Sequence, residues 1–392
     1  MTLSTSGRTA SAKPTSKLPT LTGMRFIAAI VVFLAHIVQA SGLFAPAVAN
    51  TMNTVVGRGG FVGVGFFFIL SGFVLTWSAR AGDTVPRFWR RRLLKIFPNH
   101  LVTLCAGIVL LIAVSHQAVS LGDAGLNMAL MQTWVPDPAA IIGNPVAWSL
   151  SCELVFYLSF PYLARLLGKI RPERLLAWSA GVVAAMVAIA ALATALPAAP
   201  DMPFTGVTAT EWWFLLVFPP VRMLDFVLGI LLARFVLSGR RPPLDLRTSA
   251  ALAVAMYVVT AFLPTTYHLS AVMAAPLGLV IAAGAAADVA GQSTGLSNRP
   301  MVWLGDVSFA FYMVHFLVLF YLPQWITGGA PVGTPAALVL ALLLFGTTLV
   351  LSWALFALVE RPVMRRFGTP RRRIVPTPPA KRATPADGDG AG

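Results

Sequence analysis

The sequence predicts an all-α fold, a polytopic bundle of about ten transmembrane helices, and two observations carry that expectation. Of its 392 residues 57% are hydrophobic and only 11% are charged, with a mean hydropathy of +0.78. Ordinary soluble domains carry roughly a quarter charged residues, so this stock cannot cover a water-facing surface. The second observation is spacing. Apolar runs begin near residues 24, 61, 101, 147, 176, 213, 249, 271, 305 and 336, most of them close to the roughly 20 residues a helix needs to cross a bilayer. The runs near 147, 249 and 271 are the weakest, being short or interrupted by polar residues.

Charge placement orients the bundle. The formal net charge is +15, which by itself is compatible with a nucleic-acid footprint. Yet 27 of the 29 Lys and Arg fall on the side of the two termini, and only Arg58 (an opposite-side loop) and Arg222 (inside a span) do not. The positive-inside rule assigns that side to the cytoplasm, so the charge is a topology signal of a multi-pass cell (plasma) membrane protein, and no nucleic-acid partner is expected. Residues 1–19 lack the apolar core of a cleavable signal peptide, and the basic, Pro-rich tail 367–392 has the composition of a disordered segment. The expected folded domain is 20–366. Loops near 118–145 and 197–212 contain no Lys or Arg; they face outward and are long enough to pack a lid. Cys105 and Cys152 sit in apolar runs and offer neither a disulfide framework nor metal-ligand spacing, so no metal is expected.

Polar residues inside spans are costly and usually face a cavity or a partner. In RFIAAIVVFLAH, Arg25 and His36 stand eleven residues apart, which puts both on one helix face with about 16 Å between them. A boundary anchor plus a histidine bonded to a neighbouring helix is an equally weighted structural account. In NPVAWSLSCELVFYLSFP, Ser149, Glu153 and Tyr157 recur every four residues and form one stripe. The Glu153 carboxylate requires a cationic or donor partner; a tie to an Arg or His that locks the bundle is the structural alternative. Ser308, Tyr312 and His315 share a face of WLGDVSFAFYMVHF, and Arg222 and Asp225 in PPVRMLDFVLG are placed to pair. The run PRFWRRRLLKIFP snorkels to anionic head groups or grips a polyanion through guanidinium forks. Glycines in GGFVGVGFFFILSGF let backbones approach closely or leave a slot for a substrate chain.

Laid in order, LTGMRFIAAIVVFLAHI, FFFILSGF, the basic run ending KIFP, WSLSCELVFYLSFP, RMLDFVLG, WLGDVSFAFYMVHF and ERP at 360–362 resemble the acyltransferase-3 family of integral membrane O-acyltransferases. The resemblance covers residues 21–362, and FFFILSGFVLTWS is most similar to the macrolide acyltransferase branch. It implies that His36 and Glu153 are catalytic and that Arg25, Arg87, Arg90, Arg91, Arg92 and Lys95 serve an acyl-CoA co-substrate such as acetyl-CoA or propionyl-CoA. Ser71, Ser149, Tyr157, Arg222, Asp225, Tyr312 and His315 take supporting places. Many relatives carry an acidic residue where this chain has Gly65, and Asp225 replaces the commoner Glu. No extracellular domain is expected after the bundle.

The implied reaction is transfer of an acetyl or short acyl group to a hydroxyl. His36 is the natural general base, with Glu153 orienting its ring or stabilising the imidazolium. Direct transfer in a ternary complex is favoured over an acyl-enzyme on Ser149 or Cys152. The expected acceptor is a lipophilic natural product such as a macrolide, with a surface polysaccharide or glycolipid as the alternative. A secondary transporter with intramembrane Arg, Glu and His is the competing class.

Overall fold

The computed structural model describes residues 17–368 apart from 80, 81, 198, 204 and 270. Of the segments expected to be disordered, 1–19 and 367–392, residues 1–16 and 369–392 lie outside the described residues, whereas Pro19 already belongs to the first helix and 367–368 to the last. Among the described residues ten apolar helical segments follow one another: α1 Pro19–Ala40, α2 Pro46–Trp77, α3 Val85–Ala113, α4 Pro145–Gly168, α5 Pro172–Ala193, α6 Ala209–Leu237, α7 Leu246–Thr260, α8 Ala274–Val289, α9 Arg299–Thr327 and α10 Thr334–Gly368. Eight are long and apolar enough to cross a membrane. The other two, α7 and α8, have 15 and 16 residues and reach only about 22–24 Å, short of a hydrocarbon core of roughly 30 Å. The weak apolar runs near 249 and 271 are these two; the run near 147 becomes a full-length span. Proline begins the first turn of α1, α2, α3, α9 and α10, where its missing N–H costs nothing and its fixed φ is already helical. The basic run does not precede a span but forms the opening turns of α3 itself, a helix of 29 residues.

Packing centres on α2 against α6 and on α1 against α9. The first seam is dictated by two glycines. A Cβ on Gly72 would lie 2.0 Å from the Phe226 carbonyl oxygen, and one on Gly229 would lie 1.9 Å from that of Ile69. Both are backbone contacts that cannot yield, so glycine is the one residue that fits. Gly72 therefore closes a helix crossing and opens no substrate slot. Phe68, Phe156 and Phe226 then join α2, α4 and α6, with ring centroids 5.1 Å and 4.8 Å apart.

The start of α1 is held from α8. Asp288 accepts the Thr20 backbone N–H at 3.0 Å and the Thr20 hydroxyl at 2.6 Å, satisfying a donor that a helix N-terminus leaves without an intrahelical acceptor. Thr20 also bonds Thr294 at 2.7 Å, so the helix carrying Arg25 and His36 is clamped at its N-terminal end.

The loop after α3 is folded, with a short helix at Leu121–Met128. Buried His100 contacts the Asn127 carbonyl at 3.0 Å, and the Asn127 amide donates to the Ala140 carbonyl at 2.7 Å. Asn144 reaches across to the Met313 carbonyl at 2.9 Å. This loop is thereby fixed onto α9, beside His315.

Candidate active site

Helices α1 and α9 bring His36 and His315 together. His36 Nδ1 lies 2.9 Å from His315 Nε2, and His315 Nδ1 lies 2.6 Å from the Tyr312 carbonyl oxygen. A carbonyl only accepts, so His315 carries its proton on Nδ1 and, as a neutral ring, offers a lone pair at Nε2. His36 must then donate from Nδ1, and its own lone pair is left at Nε2. That nitrogen belongs to a half-buried ring on the wall of an outer chamber of about 530 Å³. Phe61, Trp148, Phe316 and Phe320 line it, and Ile141 and Met202 come from the two outward loops. The expected lid is thus present as chamber wall.

Two further cavities continue this chamber toward the end of the bundle at which α1 and α9 begin. Val64 and Tyr312 line both the outer chamber and a small middle chamber of about 70 Å³, which also holds Arg25, Ser149, Glu153 and Ser308. Arg25 in turn lines both the middle chamber and a vestibule of about 410 Å³ bounded by Lys17, Trp77 and Asp306. Half-buried Arg25 makes no ion pair or hydrogen bond among the described residues, so its guanidinium is available to a ligand in either cavity.

Glu153 lies away from His36. Its Oε2 accepts from the Tyr157 hydroxyl at 3.1 Å, Ser71 engages the same hydroxyl, and Arg25, Arg92 and Lys95 supply attracting charge. The expectation that Glu153 orients the His36 ring is therefore corrected: a carboxylate in the middle chamber is held by its own helix, while a second imidazole orients the first. Ser149 donates to the Val146 carbonyl at 3.1 Å, as does Tyr312 at 3.1 Å, so one carbonyl ties α4 to α9. Cys152 is fully buried, with its thiol on the Val217 carbonyl at 3.3 Å, and lines none of these cavities. The structure gives it packing surroundings, whereas Ser149 faces the middle chamber.

The five cations of the basic run separate into three environments. Arg87 and Arg90 are exposed. Arg91 forks onto Asp83, and Lys95 pairs with Glu360, a carboxylate only 2% exposed that also accepts from Asn99 at 2.7 Å. Arg92 turns inward, over the Phe88 ring at 5.5 Å and near Glu153. The Lys95–Glu360 pair escaped the sequence reading of the basic run, although the ERP element that ends the resemblance contains Glu360.

Arg222 and Asp225 form the expected pair, 2.9 Å apart and fully buried, with Arg222 also donating to the Leu269 carbonyl at 3.0 Å. A Cβ on Gly65 would point at Arg222 Nη2 from 3.6 Å. An acid at 65 would therefore compete for the same guanidinium; here Asp225 alone neutralises it. The pair lies off the chambers and stitches α6 to its neighbours.

Comparison with known proteins identifies the family. The acyltransferase domain Acyl_transf_3 matches residues 18–357. The chain is 40% identical to "Acyltransferase MdmB" of Streptomyces mycarofaciens over 372 residues, which is 93% of this chain and 95% of that protein. It is 25% identical to "Exopolysaccharide production protein ExoZ" of Rhizobium meliloti, covering 80% of this chain and 92% of that one. Similarity to "Peptidoglycan O-acetyltransferase OatA" of Listeria monocytogenes is 22%, over 77% of this chain but only 49% of the relative. No solved structure is significantly similar. This chain thus belongs to the acyltransferase-3 family and is a multi-pass, all-helical membrane acyltransferase.

Proposed function

We propose that the protein transfers an acetyl or other short acyl group from acyl-CoA to a hydroxyl of a lipophilic natural product such as a macrolide. The observation that carries the reading is the His36–His315 pair, because it leaves a basic nitrogen on a chamber large enough for an acceptor. CoA would dock at the cytoplasmic side, with its phosphates toward Arg25, Arg87 and Arg90, and its pantetheine arm would run inward past Glu153. His36 Nε2 takes the proton as the acceptor oxygen attacks the thioester carbonyl. The new C–O bond forms, the C–S bond breaks, and the proton passes from His36 to the departing CoA sulfur. The neutral His315 lone pair stabilises the imidazolium formed in between, as an orienting partner does for a general base.

Support for a lipophilic acceptor is the aromatic lining of the outer chamber and the macrolide-branch look of FFFILSGFVLTWS. A glycan acceptor is the second reading, favoured by two relatives whose names place them on peptidoglycan and in exopolysaccharide production. The deciding experiment incubates purified wild-type and His36→Ala protein with labelled acetyl- or propionyl-CoA and either a macrolide panel or isolated envelope glycan. Label in a macrolide, lost with His36→Ala, is the expected result. Label in glycan alone would overturn the acceptor, and label in neither would overturn the donor.

A further inference from the structure

We propose that Val64 makes the passage to His36 selective for unbranched acyl groups, an inference that rests on the acyl-CoA reading above. The three cavities run wide, narrow, wide, at about 410, 70 and 530 Å³. Donor access lies at the cytoplasmic vestibule and His36 lies in the outer chamber, so the acyl group must leave the narrow middle chamber across the wall that separates the two. Val64 and Tyr312 are the residues that line both sides of that wall.

Tyr312 is immobilised. Its hydroxyl donates to the Val146 carbonyl at 3.1 Å, and its ring sits 6.0 Å from Phe67 and 5.5 Å from His315. Phe68, beside it in the middle chamber, is pinned between Trp148 and Phe156 at 6.1 and 5.1 Å. Val64 is the other residue shared by the two chambers. It is buried and lies within α2, and a valine in a helix has one strongly preferred rotamer. The residue therefore cannot swing aside as a leucine or methionine would, and its two methyls set a fixed width.

An opening reads cross-section, not length. The acyl group leads and the sulfur trails, so the carbon next to the carbonyl must pass between Val64 and Tyr312 before the thioester meets the acceptor. In acetyl, propionyl and n-butyryl groups that carbon bears at most one further carbon; in isobutyryl it bears two. The second methyl then meets the Val64 methyls, and one excess methyl in a fitted apolar site is worth roughly tenfold or more in discrimination.

The test supplies acetyl-, n-butyryl- and isobutyryl-CoA as competing donors to purified protein, with the macrolide or glycan preparation that wild type labels. Wild type should prefer n-butyryl over isobutyryl by about tenfold or more, and Val64→Ala should bring that ratio close to one. Val64→Thr, which keeps the branched shape, should keep the wild-type ratio. Val64→Ile should lower n-butyryl and isobutyryl use relative to acetyl, and it carries the test if Val64→Ala does not fold. An unchanged n-butyryl to isobutyryl ratio in Val64→Ala, or in its absence an unchanged donor profile in Val64→Ile, overturns the proposal. Failure of wild type to use any acyl-CoA would instead overturn the donor reading on which it rests.

Discussion

His36 and His315 share one hydrogen bond, Nδ1 to Nε2 at 2.9 Å, across helices that lie 279 residues apart in sequence. The arrangement puts a neutral imidazole where general-base histidines often have a carboxylate. Direction is set by a third atom, the Tyr312 carbonyl oxygen, which accepts from His315 Nδ1 and so leaves only Nε2 to face His36. Stacking of the two rings, with centroids 5.2 Å apart, and the edge of Phe316 at 5.4 Å from His36 hold the geometry.

A substitution series at 315 reports this dependence. His315→Leu removes the acceptor and should lower kcat by about 10²-fold or more, the range expected when general-base catalysis is disabled. His315→Gln keeps an oxygen acceptor and should fall between Leu and wild type, with the KM for acyl-CoA unchanged in both. Equal rates for the Leu variant and wild type would remove His315 from the orienting role.

The basic run should divide by function when mutated. Arg87→Gln with Arg90→Gln removes the two exposed cations and should raise the KM for acyl-CoA about tenfold, the worth of a charge-assisted bond, without lowering thermal stability. Lys95→Met removes the partner of a carboxylate only 2% exposed. Breaking a buried pair costs about 3–5 kcal/mol, so the purified variant should melt earlier, and adding Glu360→Gln should recover part of the loss. Donor kinetics together with thermal melts in detergent separate the two outcomes.

Glycine requirements should be local. Gly72→Ala and Gly229→Ala each place a methyl against backbone at 2.0 and 1.9 Å, and both should sharply reduce folded yield. Gly181→Ala, within α5 where nothing lies within 4 Å, should be neutral or stabilise by about 0.5–1 kcal/mol. Monodispersity on size exclusion is a sufficient readout, and equal behaviour of all three would refute the seam.

Orientation is testable by thiol labelling. In a background with Cys105→Ala, Asp137→Cys in the outward loop should react with a membrane-impermeant maleimide added to intact cells, because the positive-inside rule places that loop outside. Arg240→Cys, at an exposed position after α6, should react only after permeabilisation. The reverse pattern would invert the topology.

Composition and pattern alone determined the membrane class and the order of the apolar helices, because hydrophobic length is a property of contiguous sequence; that two of the ten are too short to span appeared only in the structure. They also singled out His36, Glu153 and the Arg222–Asp225 pair, since a polar group in an apolar span is conspicuous without any fold. Which polar group meets which was decided only in three dimensions. Glu153 had the charge to orient His36, yet its own helix ties it to Tyr157, and α9 delivers His315 instead. The cations of the basic run look equivalent as a string, but helical rotation exposes Arg87 and Arg90, turns Arg92 inward and seats Lys95 on Glu360 from the far end of the chain. The linked chambers, too, exist only where α1, α2, α4 and α9 converge. Periodicity says which face of a helix is polar; the partner across the gap depends on helix crossings set by contacts such as Gly72 on Phe226, and those are long-range.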